Sequence, residues 1–413
     1  MDKHKYLKII LGFLVLVIVA TMIPKFSSAP KNEAPAYSVI RKSAPQDLVS
    51  ILTERTSVMR LSPLDASRFY SYTLLAGDVA YKKYGTEGAY VAAGYYTAIS
   101  LFHNPLLNIE MLTYLERHGV DKQSLDYKNG LKVAKSIIDL SNRDNYISKS
   151  GYSNSITLGN LSPLSKKYRW VPTGTGDGPL QPYWGVLKPL IKDTSTCDVA
   201  TPTDQQVESE ARSLLATWTP EQAIGRDVLW WLAGTGTATP TGYWLRMTNN
   251  ALDDAKSSFK EASEVLAKVA VADFDAGIKM WEVKYKYSVG RPESVWKIIN
   301  DAPVDILPRD TPNHPSYVSG HSGFSAAAAQ IIKKTLGDVP LRDALPADLY
   351  ADQWVSTWPN PDAAVNEASQ SRVHSAFHYQ MDVIEGQKLG YCVGDKVNSG
   401  FNDKIKELVG NVK

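Results

Sequence analysis

The sequence predicts an all-α protein, on three observations. Apolar residues recur every three to four positions along most of the chain, strand-like alternation is rare and isolated, and Gly, Pro and Thr cluster in two loop-rich stretches. With 413 residues, 44% of them hydrophobic, the chain can bury a substantial core. A formal charge of +2 gives no support to a nucleic-acid partner, so any functional positive charge must be concentrated locally.

Lys3, Lys5 and Lys8 precede an apolar run from Ile9 to Val19 that extends to Ile23. Residues 1–29 therefore read as a signal peptide or a single uncleaved membrane anchor, and residues 30–44 as a polar, Pro-containing linker. On either reading the rest of the chain is extracytoplasmic and meets a membrane through this segment alone. Residues 45–413 form the folded part. Helical spacing covers 46–61, 65–85 (with Asp65 as N-cap), 87–102, 127–140, 250–285 and 322–336, while 150–205 and 233–243 read as loops. Cys197 and Cys392 either pair in an oxidising compartment or pack as free thiols. No Cys/His spacing suggests structural zinc.

Three segments carry chemistry. In "WEVKYKYSVGRPESVW" (281–296), Lys284 and Arg291 are two helical turns apart and share one side if the helix runs through Gly290, with Pro292 at its end. In "HPSYVSGHSGFSAAAAQIIKKTLG" (314–337), Ser319, Gly320 and His321 open a helix. Free backbone N–H groups and the dipole favour an anion there, and Gly320 lets an oxyanion approach without a Cβ in the way. In "SRVHSAFHYQMD" (371–382), His374, His378 and Asp382 follow Arg372 at spacings of a single helix. Along one helix the outer two Cα atoms stand about 12 Å apart, poor geometry for three ligands on one metal cation. Together the segments supply three cations, directed N–H donors and two histidines. That set suits a multiply charged tetrahedral oxyanion, with one histidine bonding the central atom and the other moving protons.

The spacing Lys284…Arg291-Pro292, Ser319-Gly320-His321 and Ser371-Arg372…His378…Asp382 resembles the pattern shared by the vanadium-dependent haloperoxidases and the phosphatidic-acid-phosphatase type 2 and bacterial acid phosphatases. Val318 departs from it, standing where the pattern usually has Pro. Trp281, "RWVPTGTG…LQPYWG" and "WWLAGTGTATPTGYW" resemble the haloperoxidase branch, and the resemblance covers about residues 165–395. It implies an all-α fold of two helical-bundle halves, about 45–205 and 206–413, with the pocket in the second. It implies vanadate as cofactor, with no haem and no nucleotide, and hydrogen peroxide, halide and an optional organic nucleophile as reactants.

By position, the resemblance makes His378 the axial vanadium ligand. Lys284, Arg291, Arg372, Ser319 and Gly320 would hold the oxyanion's oxygens, and His321 would be the acid–base. His314 stands where bromide-oxidising members carry His and chloride-oxidising members Phe, so His314 and Trp281 mark a halide pocket favouring bromide or iodide. Asp382 either orients a neighbour or serves the helix, and His374 is a polar packing residue. The alternative activity is a phosphomonoester hydrolase working through a phospho-histidine at His378; a further one is non-catalytic oxyanion binding. Oligomeric state is not legible.

Overall fold

The computed structural model describes residues 43–146, 162–173, 178–300, 311–345 and 354–413. The N-terminal segment and nearly all of the linker lie outside the described residues. So do parts of the loop-rich stretch 150–205. Among the described residues, no helix is long and apolar enough to cross a membrane.

Thirteen α-helices are described: α1 (Ala44–Met59), α2 (Pro63–Tyr84), α3 (Glu87–Leu101), α4 (Pro105–Arg117), α5 (Leu125–Ser141), α6 (Asp204–Thr217), α7 (Arg226–Trp230), α8 (Thr239–Asp254), α9 (Phe259–Tyr287), α10 (Pro292–Asn300), α11 (Gly320–Leu336), α12 (Pro361–His374) and α13 (Gln380–Asn411). Two short strands, β1 (Leu341–Ala344) and β2 (Val355–Trp358), pair antiparallel with Leu341 opposite Trp358. Where it is described, the loop-rich stretch 150–205 holds only short 3₁₀ turns as helical structure before α6 begins at Asp204.

Helix α9 is buried at nearly every position from Ala262 to Lys284, the signature of a helix enclosed on all sides. It packs against α2, α8, α11 and α13, within a hydrophobic core that runs from Ala44 to Val412. Helices α11 and α13 approach closely because Gly386, Gly390 and Gly394 form one ridge at four-residue spacing. A Cβ at Gly386 would stand 2.7 Å from the Ser319 carbonyl oxygen, and one at Gly390 2.2 Å from that of Gly323. Any side chain at these positions would push the start of α11 away from α13.

Several boundaries differ from the sequence reading. Ser62, not Asp65, caps α2: its hydroxyl accepts from the Asp65 N–H, and Pro63 takes the first helical position. The stretch 250–285 is two helices, because α8 stops at Asp254 and Ser258 caps α9. Helix α8 starts inside the expected loop 233–243, at Thr239, with Pro240 in its first turn. Cys197 and Cys392 form a disulfide with Cα atoms 5.9 Å apart, tying the segment before α6 to α13.

Candidate functional site

Helix α9 does not continue through Gly290. It ends at Tyr287, where Ser288 turns left-handed (φ 52°), and Pro292 opens α10 instead of closing α9. Lys284 and Arg291 therefore reach the site from different elements. The turn between them is pinned by Gly290 N donating to Tyr168 O (2.8 Å) and Ser316 N donating to Val289 O (2.9 Å).

The stretch 371–382 is not one helix either. Arg372 lies in the last turn of α12, and Ala376 then adopts φ 53°. The N–H groups of Phe377 and His378 both donate to the Arg372 carbonyl, at 3.1 and 3.2 Å. His378 so falls in a tight connection, and Asp382 in the first turn of α13. His374 points away from the site and pairs with Asp227 (2.6 Å), a polar packing partner.

Ser319 caps α11, its own N–H donating to the Asp382 carbonyl (2.9 Å), so α11 and α13 begin side by side. Gly320, His321, His314, Arg372 and His378 line one end of a cavity of about 100 Å³. Its other walls are apolar, among them Leu64, Leu180, Leu232, Trp281, Phe324 and Phe377. The His314 ring lies 5.1 Å from that of Trp281.

Lys284, Arg291, Ser319 and Asp382 stand immediately behind this wall, all within 1% of complete burial. The Lys284 ammonium donates to the carbonyls of Pro315 and Ser316, both at 2.9 Å. Arg291 donates to the carbonyls of His314 (2.9 Å) and Phe377 (2.6 Å) and reaches His378 Nε2 at 3.0 Å. Arg372 donates to Trp231 O (2.7 Å) and meets His321 Nε2 at 3.2 Å.

These contacts fix the imidazole protons. A guanidinium can only donate, so the Nε2 atoms of His321 and His378 accept, and each neutral ring carries its proton on Nδ1. For His378 that proton goes to Asp382 Oδ2 at 3.0 Å. Burial, and after it Arg291 and then Lys284, hold the His314 and His378 pKa values well below the usual range; for His321 burial acts first and Arg372 next. Burial and then Arg291 likewise depress Lys284, and burial brings Arg291 down to about 10. Burial raises Asp382 to about 6, against the Ser316 hydroxyl and nearby cations that pull it down.

Three buried cations and neutral histidines thus face one buried carboxylate. A net excess of buried positive charge is costly without a compensating anion, and the donors here are N–H groups directed into or beside the cavity. An oxyanion such as vanadate fits this set. Among the described residues, no group of three or more His, Cys, Asp or Glu side chains is arranged to hold a metal cation.

The pattern singled out Lys284, Arg291, Ser319, Gly320, His321, Arg372, His378 and Asp382, and the fold gathers them all; Trp281 and His314 join them. It missed Ser316, whose hydroxyl donates to Asp382 Oδ2, and the apolar walls Leu64, Leu180 and Leu232. Ser316, Leu180 and Leu232 lie inside the quoted segments at positions the motif spacing does not mark, and Leu64 lies in a stretch that carries no motif.

Residues 296–407 match the family model described as the VCPO second helical-bundle domain. The structure is similar to that of a bacterial vanadium-dependent iodoperoxidase, with 21% identity and a TM-score of 0.71, covering 86% of this chain and 95% of that one. It is also similar to a bacterial vanadium-dependent chloroperoxidase in its apo form (14% identity, TM-score 0.65, covering 84% of this chain and 95% of that one). The holo form gives 13% identity and a TM-score of 0.63, covering 86% of this chain and 96% of that one. No curated protein sequence matches. The chain has the fold of the vanadium-dependent haloperoxidases, and Ser319, Gly320, His321, Arg372 and His378 lie within the part that matches that family's second helical-bundle domain.

Proposed function

We propose that the protein is a vanadate-dependent haloperoxidase, using hydrogen peroxide to oxidise bromide or iodide in preference to chloride to a hypohalous-acid-type electrophile. The observation that carries this is the convergence of Lys284, Arg291 and Arg372 with two neutral imidazoles around one cavity end, against a single buried carboxylate. When bound, vanadate supplies an electrophilic centre that activates peroxide toward halide.

The chain's own groups do the rest. His378 offers the Nε2 lone pair, because Asp382 holds its Nδ1 proton. Arg291 now donates to that lone pair and, with an oxyanion bound, would redirect this hydrogen bond to one of its oxygens. Arg372 and the N–H groups at the start of α11 grip the remaining oxygens. His321 is neutral, with Nε2 unprotonated, the form required of a group that takes a proton from incoming peroxide. Trp281 and His314 form the polarisable side of the cavity where halide would stand. The N-terminal basic and apolar run, together with the disulfide, supports work outside the cytoplasm.

A second reading rests on the same His378–Asp382 pair, which also suits a nucleophile for phosphomonoester hydrolysis, with His321 protonating the leaving group. The deciding experiment incubates the protein with orthovanadate, hydrogen peroxide and bromide or iodide and follows halogenation of a phenol dye. Vanadate-dependent halogenation that His378→Ala abolishes is expected. Phosphate-ester hydrolysis inhibited by vanadate, without halogenation, would select the second reading. Anion binding with neither activity would leave a non-catalytic oxyanion-binding protein.

A further inference from the structure

We propose that Ser316, which lies outside the motif spacing, is a positioning residue: it locks the Asp382 carboxylate onto His378 Nδ1 and so keeps the His378 Nε2 lone pair aimed at the cavity. The proposal rests on the reading of His378 as the oxyanion's ligand, and it concerns the unloaded protein's own hydrogen bonds.

Ser316 is fully buried and immobilised from both sides of its backbone. Its N–H donates to Val289 O (2.9 Å) and its carbonyl accepts from the Lys284 ammonium (2.9 Å). The side chain is thereby presented to one place. Its hydroxyl donates to Asp382 Oδ2 and lies 3.4 Å from His378 Nδ1. The same carboxylate oxygen accepts from His378 Nδ1 (3.0 Å) and from Tyr379 N (3.1 Å). The other oxygen, Oδ1, is buried and has no hydrogen-bond partner.

That asymmetry is informative. A carboxylate with three donors on one oxygen and none on the other is held in one rotation about its Cβ–Cγ bond. Without the Ser316 hydroxyl, two donors remain, both on residues of the short connection between α12 and α13. The carboxylate can then turn to share Oδ1, and the His378 ring loses the fixed partner that keeps its proton on Nδ1. A ring that carries its proton on Nε2, or that rotates, presents no lone pair to an oxyanion. Groups that orient a ligating imidazole from behind typically change ligand affinity by about 10- to 100-fold when removed. Lys284 acts on the same loop, since its clamp on Pro315 O and Ser316 O sets where the serine stands.

The test compares wild type, Ser316→Ala, Ser316→Thr, Asp382→Asn and the Ser316→Ala/Asp382→Asn double variant in the full-length protein. Two quantities are read: orthovanadate and phosphate Kd by equilibrium dialysis, and the ¹⁵N shifts of the His378 ring in the unloaded protein. In Ser316→Ala the Kd is expected to rise about tenfold or more, with the ¹⁵N shifts moving from a pure Nδ1–H form toward a mixture. Ser316→Thr, which keeps the hydroxyl, is expected to restore the shifts. In the Asp382→Asn background Ser316→Ala is expected to add little. An unchanged ¹⁵N pattern in folded Ser316→Ala, or an equal loss of affinity in both backgrounds, overturns the proposal. If wild type binds neither anion, the functional reading falls, while the ¹⁵N comparison still decides the role of Ser316.

Discussion

Arg372 offers the sharpest test of the anion pocket, because its guanidinium lines the cavity while its anchors lie behind it. It is 2% exposed, held by Trp231 O at 2.7 Å and set against His321 Nε2 at 3.2 Å. Two unit charges about 4 Å apart at an effective dielectric near 20 attract by about 4 kcal/mol, which is about three decades in Kd. Arg372→Ala is therefore expected to weaken orthovanadate binding by about 10²- to 10³-fold. Arg372→Lys keeps the charge but loses the fork, and the loss of one charge-assisted hydrogen bond, about 1.5–3 kcal/mol, corresponds to about 10- to 100-fold. Equilibrium dialysis of both variants, with thermal unfolding to establish that they fold, measures this ranking. A folded Arg372→Ala protein whose Kd stays within about threefold of wild type would show that the anion does not sit against this residue, and the charge argument would fail.

Gly320→Ala separates fold from function, because a Cβ there meets nothing closer than Trp281 Cζ3 at 3.6 Å, an ordinary contact, while standing in the cavity wall. The melting temperature should hold and vanadate affinity fall by about tenfold, the loss of one charged hydrogen bond; unchanged affinity would count against anion approach to this backbone. Asp273 tests the interior of α9. It is fully buried, neither carboxylate oxygen has a hydrogen-bond partner, and burial pushes its carboxyl well above the usual range. Its folded-state pKa exceeds the unfolded value, so its contribution is fully present below about pH 4 and is lost as pH rises toward the folded pKa. Asp273→Asn should therefore flatten the fall in stability above pH 4, by up to about 1.4 kcal/mol per pH unit. Urea unfolding from pH 4 to 8 gives the slopes, and parallel curves for the two proteins would refute the assignment.

What could be read from sequence was what local chemistry dictates. A Ser-Gly-His at the entrance of an apolar-periodic run implies a capped helix with free N–H groups, and α11 starts there. The paths that deliver Arg291 and His378 were misread, because Ser288 and Ala376 take left-handed turns without the glycine that usually marks one. Motif spacing nevertheless found both residues, since it constrains which side chains are present and not the backbone between them. Contacts across long separations left no local trace. The Cys197–Cys392 pair spans 195 residues. Neither the Lys284 clamp on the 315–316 carbonyls nor the close approach at Gly386 can be deduced before the helices are placed in space.

The disulfide bears on how long the protein survives its own work. The chain has two cysteines and both are consumed in one bond, so the whole molecule carries no thiol. Thiolates are the protein groups that electrophilic oxidants attack most readily, through sulfenic and then irreversible acids. Of the seven methionines, the next most vulnerable class, Met111, Met247 and Met280 are fully covered. A catalyst that releases oxidised halogen beside its own walls would, on this arrangement, present that product with no thiol and keep these three thioethers out of its reach.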